Sequence, residues 1–362
     1  MQNAVEFLKD IKQRDNVIIV FHNDSDGICS CVMLKKFLEI HAKTEPEHII
    51  SQPMPVNATL VQKIKTYSPN KIIFVDLAVD QQIGIVNELK KYADILIIDH
   101  HQMTNHLTGV TYYNPLLHNK SIYQSASYLT YKICSRIIDM SDHLWLAIIG
   151  IVSDFDTKDS TDLIKAAREK YPDLIEKTDQ ESLQRSFFAE ISNIVNAVKA
   201  MKSMSSEQIA RIFDKMTEPK DIINSDKATK LMAIYREINQ EMDNITKDIE
   251  KKCDYHGNVV FFELKSKYNL RSPISTLLSK RHRDKLIVVW QDEKQIKISA
   301  RNQNKNINAA QVLKKAAGGH NSAGGHEAAA GATIVKKDWS EFKKRLTEIS
   351  NEVKKNGAET KS

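Results

Sequence analysis

The run Asp94-Ile95-Leu96-Ile97-Ile98 is followed at once by Asp99-His100-His101. Apolar, β-branched residues over so short a span read as a buried strand. Three adjacent side chains of metal-ligand type then stand at its C-terminal end, where open parallel sheets bind ligands. The segments before it repeat the pattern. Val17 to Phe21 reads as a strand, followed by His22-Asn23-Asp24-Ser25-Asp26-Gly27 and a helix over 28–41. A strand at 48–51, a helix over 57–67, and a strand from Lys71 to Val75 ending in Asp76 come next. Residues 80–92 read as helical and Val110 to Tyr113 as a strand. Helices follow over 121–138 and 142–152, the second ending in Gly150-Ile151-Val152-Ser153-Asp154. Strands alternating with helices at this spacing predict a parallel, three-layer α/β domain, and its acidic and imidazole residues fall just after strands.

The character changes at about 157. Glycine is absent from 157–252, and charged residues interleave with Leu, Ile, Phe and Met, which reads as several helices. The last, over 226–252, is long enough to connect two domains, and Tyr255-His256-Gly257 breaks it. A second α/β pattern begins at 258, with strands at 259–262, 286–290, 296–300 and 330–335. Helices are expected over 273–282, 307–317 and 338–354, and a glycine-histidine loop precedes the last strand. The expected organisation is a parallel-sheet catalytic domain (1–156), a helical region with a connecting helix (157–254) and a smaller α/β substrate-binding domain (255–355).

Bulk properties narrow the class. A chain of 362 residues holds two or three domains. The net charge of +6 and pI near 8.8 are compatible with a polyanionic partner, although lysine-rich surfaces are often only solvated. The four cysteines form no CxxC pair and read as reduced, intracellular thiols. The N-terminus reads as a helix without a signal peptide, and no apolar run reaches membrane-spanning length. A soluble, cytoplasmic protein without a membrane partner is expected.

In an extended segment alternating residues point the same way, so His22, Asp24 and Asp26 can converge on one cation. A turn rich in Asp and Asn is the competing reading. Asp76 at a strand end is more often a helix cap than a ligand, and Asp154 shares that ambiguity. Neighbouring histidines after a buried strand rarely serve packing. The set as a whole holds four to five carboxylates and two to three imidazoles. Mixed ligation of this kind suits Mn²⁺, Zn²⁺ or Fe²⁺, and oxygen-rich sites favour Mn²⁺ or Mg²⁺. Two ions roughly 3.5–4 Å apart, with Asp76 bridging, would suit phosphoester hydrolysis. Further on, Gly318-Gly319-His320-Asn321-Ser322-Ala323-Gly324-Gly325-His326 brings glycines that let a backbone approach a phosphate. A flexible Gly/Ala loop is the competing reading there. Arg301, at a strand end, is a candidate for gripping a phosphate bidentately.

These residues resemble the DHH superfamily of phosphoesterases, after the Asp-His-His at 99–101. His22-Asn23-Asp24-Ser25-Asp26-Gly27 resembles its first motif, Phe74-Val75-Asp76 its second and Gly150-Ile151-Val152-Ser153-Asp154 its fourth. Gly324-Gly325-His326-Glu327-Ala328-Ala329-Ala330-Gly331 resembles the motif of the DHH-associated substrate domain. The resemblance covers about 15–154 and 256–336. It implies a Mn²⁺-dependent phosphodiesterase, a hydrolase acting on ester bonds, using two Mn²⁺ ions or Mg²⁺ in their place. It implies Asp24, Asp26, Asp76, His100 and Asp154 as metal ligands, with His22. Asp99 is then either a ligand or the partner that orients a histidine. His101 either contacts the scissile phosphate or protonates the leaving group. Arg301 and Gly324, Gly325 and His326, or the earlier copy with His320, would hold substrate, closing the site from the second domain.

The short His-x-Asp-x-Asp-Gly form of the first motif is similar to RecJ-like single-strand nucleases of the archaeal type. Bacterial RecJ enzymes carry further substrate-binding domains for which this chain has no room. Three functions are therefore expected in descending order. The first is a single-strand-specific exonuclease on DNA or RNA. The second is a phosphodiesterase for short oligonucleotides, pAp or cyclic dinucleotides. The third is a scaffolding subunit among replication and repair proteins. Every motif position is filled, which favours an active enzyme.

Overall fold

Val17 to Phe21 are each no more than 1 % exposed, so both faces of their strand are covered, as a parallel sheet requires. The structure is a computed structural model that describes every residue except 47, 58, 202–203, 304–306, 319–320, 326 and 360–362. Strands β1 (Val17–His22), β2 (His48–Gln52), β3 (Lys71–Val75), β4 (Asp94–Ile98) and β5 (Thr111–Tyr113) form the first sheet. All neighbours are parallel and the order is β2-β1-β3-β4-β5. After β2 the chain returns to the other side of β1, so strand order reverses between β1 and β3. That reversal opens the crevice in which such sheets bind ligands. The register brings the strand ends level: Phe21 pairs with Val75, and Val75 with Ile98. His22, Asp76 and Asp99 therefore leave the sheet side by side.

Helix α1 (Gln2–Asp10) precedes β1 and α2 (Ser25–His41) follows it; α3 (Leu60–Thr66) and α4 (Ile83–Leu89) flank β3. Then come α5 (Ala126–Cys134) and α6 (Leu144–Ser153). One sheet face buries Ile18, Val20, Ile72, Phe74, Ile95 and Ile97 under α3 and α4. α2 is buried over 13 of its 17 residues, because it is apolar nearly all round and has neighbours on every side. The helical region adds α7 (Thr161–Lys170), α8 (Gln180–Leu183), α9 (Phe187–Met201), α10 (Ser206–Asp214) and α11 (Asp221–Asn224). α9 packs on α6, and α10 packs on α2 and β2. The compact units are accordingly Met1–Arg236 and Glu237–Ser362. Most of the helical region thus belongs to the first core, a pairing that sequence periodicity does not display.

α12 (Thr229–Thr246) runs across that boundary and is shorter than the helix expected over 226–252. It ends before Asp248, which takes a left-handed φ of 58°, a conformation that Asp tolerates better than most residues. The second unit holds β6 (Asp254–His256), β7 (Val259–Glu263), β8 (Leu286–Asp292), β9 (Ile296–Arg301), β10 (Ser322–Gly325) and β11 (Ala329–Ile334). Its order is β10-β11-β9-β8-β7-β6, antiparallel except between β7 and β8. With α13 (Arg271–Arg281), α14 (Ala309–Ala317) and α15 (Trp339–Glu359), it encloses Phe261, Val288, Ile298, Leu313 and Phe342.

Two strands correct the sequence reading. Tyr255 and His256, read with Gly257 as a break, instead pair with β7 alongside Asp254 through a tight turn at Gly257, whose φ is 58°. The expected glycine loop is in part an edge strand: Gly324 pairs with Gly331 and Gly325 with Ala330. Glycine has low strand propensity, so only the partner strand reveals it. Among the described residues no helix is long and apolar enough to cross a membrane.

Lys35 on α2 joins that helix to α10 of the helical region. It is 9 % exposed, and its Nζ lies 2.7 Å from Glu39, 3.0 Å from Glu45 and 2.9 Å from Asp214 of α10. Without Lys35, Asp214 and Glu39 keep Lys36, at 3.0 and 3.4 Å, so the loss is that of charged hydrogen bonds rather than of a whole buried pair. Lys35→Ala should therefore lower the urea midpoint by an amount equivalent to about 1–3 kcal/mol at unchanged slope. An unaltered midpoint would show that α10 docks without this network.

Candidate metal centre

Three triads of ligand atoms lie close together at the C-terminal end of the first sheet. They are His22, Asp24 and Asp76; Asp76, His100 and His101; and Asp26, His100 and Asp154. His22 Nδ1 is 2.7 Å from Asp24 Oδ2 and 3.4 Å from Asp76 Oδ2. His100 Nε2 is 3.1 Å from Asp76 Oδ1, 3.4 Å from Asp154 Oδ2 and 4.0 Å from Asp26 Oδ2. Asp76 belongs to two triads and sits between them.

The local backbone explains each placement. Asp24 is the N-cap of α2 and accepts from Gly27 N–H at 3.1 Å. Asp26 lies in the first turn of α2 with no exposed surface. Its two oxygens accept from the backbone N–H groups of Ala126 and Ser127 at 2.7 and 2.8 Å. Those are the first amides of α5, where the helix dipole favours an anion. Asp76 has φ of 61°, so the chain turns left-handed directly after β3. Asp154 follows α6 and accepts from the Tyr123 hydroxyl at 3.2 Å.

Crowded carboxylates shift one another. Burial, and then the charge of Asp76, pushes the Asp26 carboxyl up; burial, and then Asp26 and Asp76, does the same to Asp154. Burial works against a charged His22, but Asp24 and Asp76 outweigh it and raise the ring to about 10. Burial likewise opposes a charged His100, and the bond to Asp76 together with three carboxylate charges raises it to about 10. In addition, Asp76 Oδ2 is buried and accepts no hydrogen bond among the described residues. A donor set of aspartate oxygens and imidazoles, short of positive charge and with a free buried oxygen, fits divalent cations.

His101 is also paired with Asp99. His101 Nδ1 is 2.7 Å from Asp99 Oδ1, and the His101 carbonyl accepts from Asn114 Nδ2 at 2.9 Å. Asp99 joins none of the three triads. A cleft of about 440 Å³ is lined by Asp24, Asp76, His100, His101 and Asp154 together with Leu116 and the residues from Lys120 to Tyr123.

The expected substrate residues lie in the second unit. Arg301 closes β9 and donates to Ser272 Oγ at 2.9 Å and Thr276 Oγ1 at 3.4 Å. Gly324 and Gly325 stand on β10, separated from β9 by β11. His320 and His326 fall outside the described residues. Sequence reasoning missed the amides of Ala126 and Ser127, although Ser125 as N-cap was a signal for that helix start. It also missed Tyr123, and Lys199, whose Nζ donates to Asn23 Oδ1 at 3.3 Å from 176 residues away. Nothing in an amphipathic helix marks such a lysine.

Comparison with known families gives two matches, DHH family, N-terminal domain over residues 16–152 and DHHA1 domain over residues 257–355. No curated protein matches the chain. Among solved structures the chain is similar to RecJ in complex with Mn²⁺ from Thermus thermophilus, with TM-score 0.73 and 14 % identity. That likeness covers 96 % of this chain but 54 % of the RecJ chain, so this chain spans about half its length. It is also similar to CDC45 from Entamoeba histolytica, with TM-score 0.54 and 11 % identity over 96 % of this chain and 97 % of that one. The pGpG-specific phosphodiesterase PggH from Vibrio cholerae gives TM-score 0.51 and 14 % identity over 92 % of this chain and 98 % of that one. At these identities the likeness is one of fold.

Gly150 on α6 makes the close approach on which Asp26 depends. A Cβ there would lie 2.0 Å from Ser127 Oγ and 2.5 Å from Asp26 Oδ1. Gly150→Ala should destabilise the protein by about 1–3 kcal/mol and weaken Mn²⁺ binding, read from the thermal midpoint with and without the ion. Unchanged stability and binding would mean that this packing does not position Asp26.

Proposed function

The chain is a member of the DHH superfamily of phosphoesterases with a C-terminal DHHA1 domain, and from that premise we propose that it is a metal-dependent exonuclease shortening single-stranded DNA or RNA to mononucleotides. The observation that carries the reading is the complete ligand set: His22, Asp24, Asp26, Asp76, His100 and Asp154 converge with none replaced by an inert residue. In this reading His22, Asp24 and Asp76 would hold one cation, and Asp26, His100 and Asp154 a second, with Asp76 near enough to serve both. Two such ions would supply an activated water and offset charge on the phosphoryl oxygens. Asp99 fixes the His101 ring through Nδ1, leaving Nε2 to carry a proton to the leaving oxygen. Burial works against a charged His101, and the bond to Asp99 outweighs it and raises the ring. Arg301 and the β10–β11 edge are assigned to the substrate phosphate or terminal nucleotide.

A second reading, hydrolysis of short oligonucleotides, is supported by the likeness of fold to the pGpG-specific phosphodiesterase, over 92 % of this chain and 98 % of that one.

A time course on end-labelled single-stranded DNA and RNA of several lengths, with Mn²⁺ or Mg²⁺ and with chelator, separates the two. The exonuclease reading expects long strands to shorten to mononucleotides only with metal, and blunt duplex to resist. Cleavage confined to di- to tetranucleotides would replace it with the second reading. Absence of metal-dependent cleavage from every strand would reject both.

Asp76→Asn tests the metal assignment apart from turnover. Asn tolerates the left-handed backbone at this position, but it removes the carboxylate that pairs with His22 and His100. The metal-free thermal midpoint should fall by a modest amount with the fold retained, while the rise produced by Mn²⁺ in the wild-type protein should vanish. A retained Mn²⁺ shift would remove Asp76 from the site.

A further inference from the structure

Tyr123 stands in the cleft beside the cation ligands. Its ring centroid is 5.4 Å from that of His100, with the planes at 61°. Its hydroxyl donates to Asp154 Oδ2 at 3.2 Å, and its backbone N–H donates to Asp159 Oδ2 at 2.8 Å. The next residue holds the same loop, Gln124 Nε2 donating to the Asp159 carbonyl at 3.1 Å. The ring is therefore fixed by its hydroxyl, by its backbone and by contact with His100. Even so, 45 % of the residue remains exposed. A large aromatic surface held rigid and left open is a stacking platform, since a planar partner loses little further freedom on binding. Among the described residues Lys120 is the one Lys or Arg lining the cleft, and it lies three residues before Tyr123. The cleft, at about 440 Å³, falls in the size range of small-ligand sites.

We propose that Tyr123 stacks on the nucleobase next to the scissile phosphate, so that the substrate must present an unpaired base at that point. The inference rests on the phosphodiesterase reading above and specifies what its cleft recognises. Stacking uses the face that every base shares, so recognition tolerates sequence. It rejects a base held in a duplex, which would first have to be unpaired and unstacked.

The test compares single strands with intact ends against strands carrying an abasic tetrahydrofuran residue at the first or second nucleotide from either end, in Mn²⁺. Three proteins are used: wild type, Tyr123→Phe and Tyr123→Leu. The two variants lose the same hydroxyl and differ in the ring. Wild type should cleave at least one abasic strand with kcat/KM lower by about tenfold or more. Tyr123→Phe should keep that discrimination. Tyr123→Leu should lose it, cleaving the intact strand as slowly as the abasic one, with Mn²⁺ binding equal to that of Tyr123→Phe. Equal cleavage of intact and abasic strands by wild type would overturn the proposal. So would discrimination retained in Tyr123→Leu, or Mn²⁺ binding lost in Tyr123→Leu alone, which would assign the ring to packing on His100. If wild type cleaves neither kind of strand, the phosphodiesterase reading falls and the inference with it.

Discussion

Four aspartates within a few ångströms of one another, two of them buried, repel. Asp24, Asp26, Asp76 and Asp154 are assembled at one sheet end, and much of the first unit serves to hold them there. Level strand ends place Asp76 next to the loop after β1. Two amides of α5 fix Asp26. A left-handed residue turns the chain after β3. Histidines 22 and 100 lie among the carboxylates and are raised by them, which offsets part of the repulsion. Cations would offset the rest, so the instability of the assembled site is what gives it affinity for metal.

The same arrangement divides labour among neighbours. His100 joins two of the triads, whereas His101, one residue on, joins one of them and is also paired with Asp99. Adjacent residues leaving a strand face different ways, so a dipeptide of identical side chains serves two purposes. The helical segment also contributes. Lys199 and Ser206 bond Asn23, and Ser192 meets Ser25 at 3.1 Å, so the loop after β1 is gripped from α9 and α10. The fold shared with RecJ, CDC45 and a pGpG-specific phosphodiesterase leaves substrate choice to features such as the wall of Leu116 and the residues from Lys120 to Tyr123.

Much of this was legible in the chain. Short β-branched runs followed by Asp or His marked β1, β3 and β4, and every residue of the cation set was read from such strand ends or from the end of α6. What escaped shares a physical cause: it depends on partners distant in sequence. The strand at Ser322–Gly325 exists through β11, against glycine's own preference. The docking of α9 and α10 shows only as apolar faces without an address. The expected helix over 121–138 begins at Ala126, because Ser125 caps it; the residues before it form the cleft wall instead. Tyr123 carried no motif, and its meaning comes from Asp154 and His100 beside it.

The central claim is that these side chains form one two-cation site with Asp76 shared. Anomalous diffraction at the manganese edge from crystals grown with Mn²⁺ tests it most directly. The account predicts two peaks in the first unit, both in contact with Asp76, one beside His22 and Asp24 and the other beside His100, Asp26 and Asp154. A single peak, or peaks away from Asp76, would contradict it.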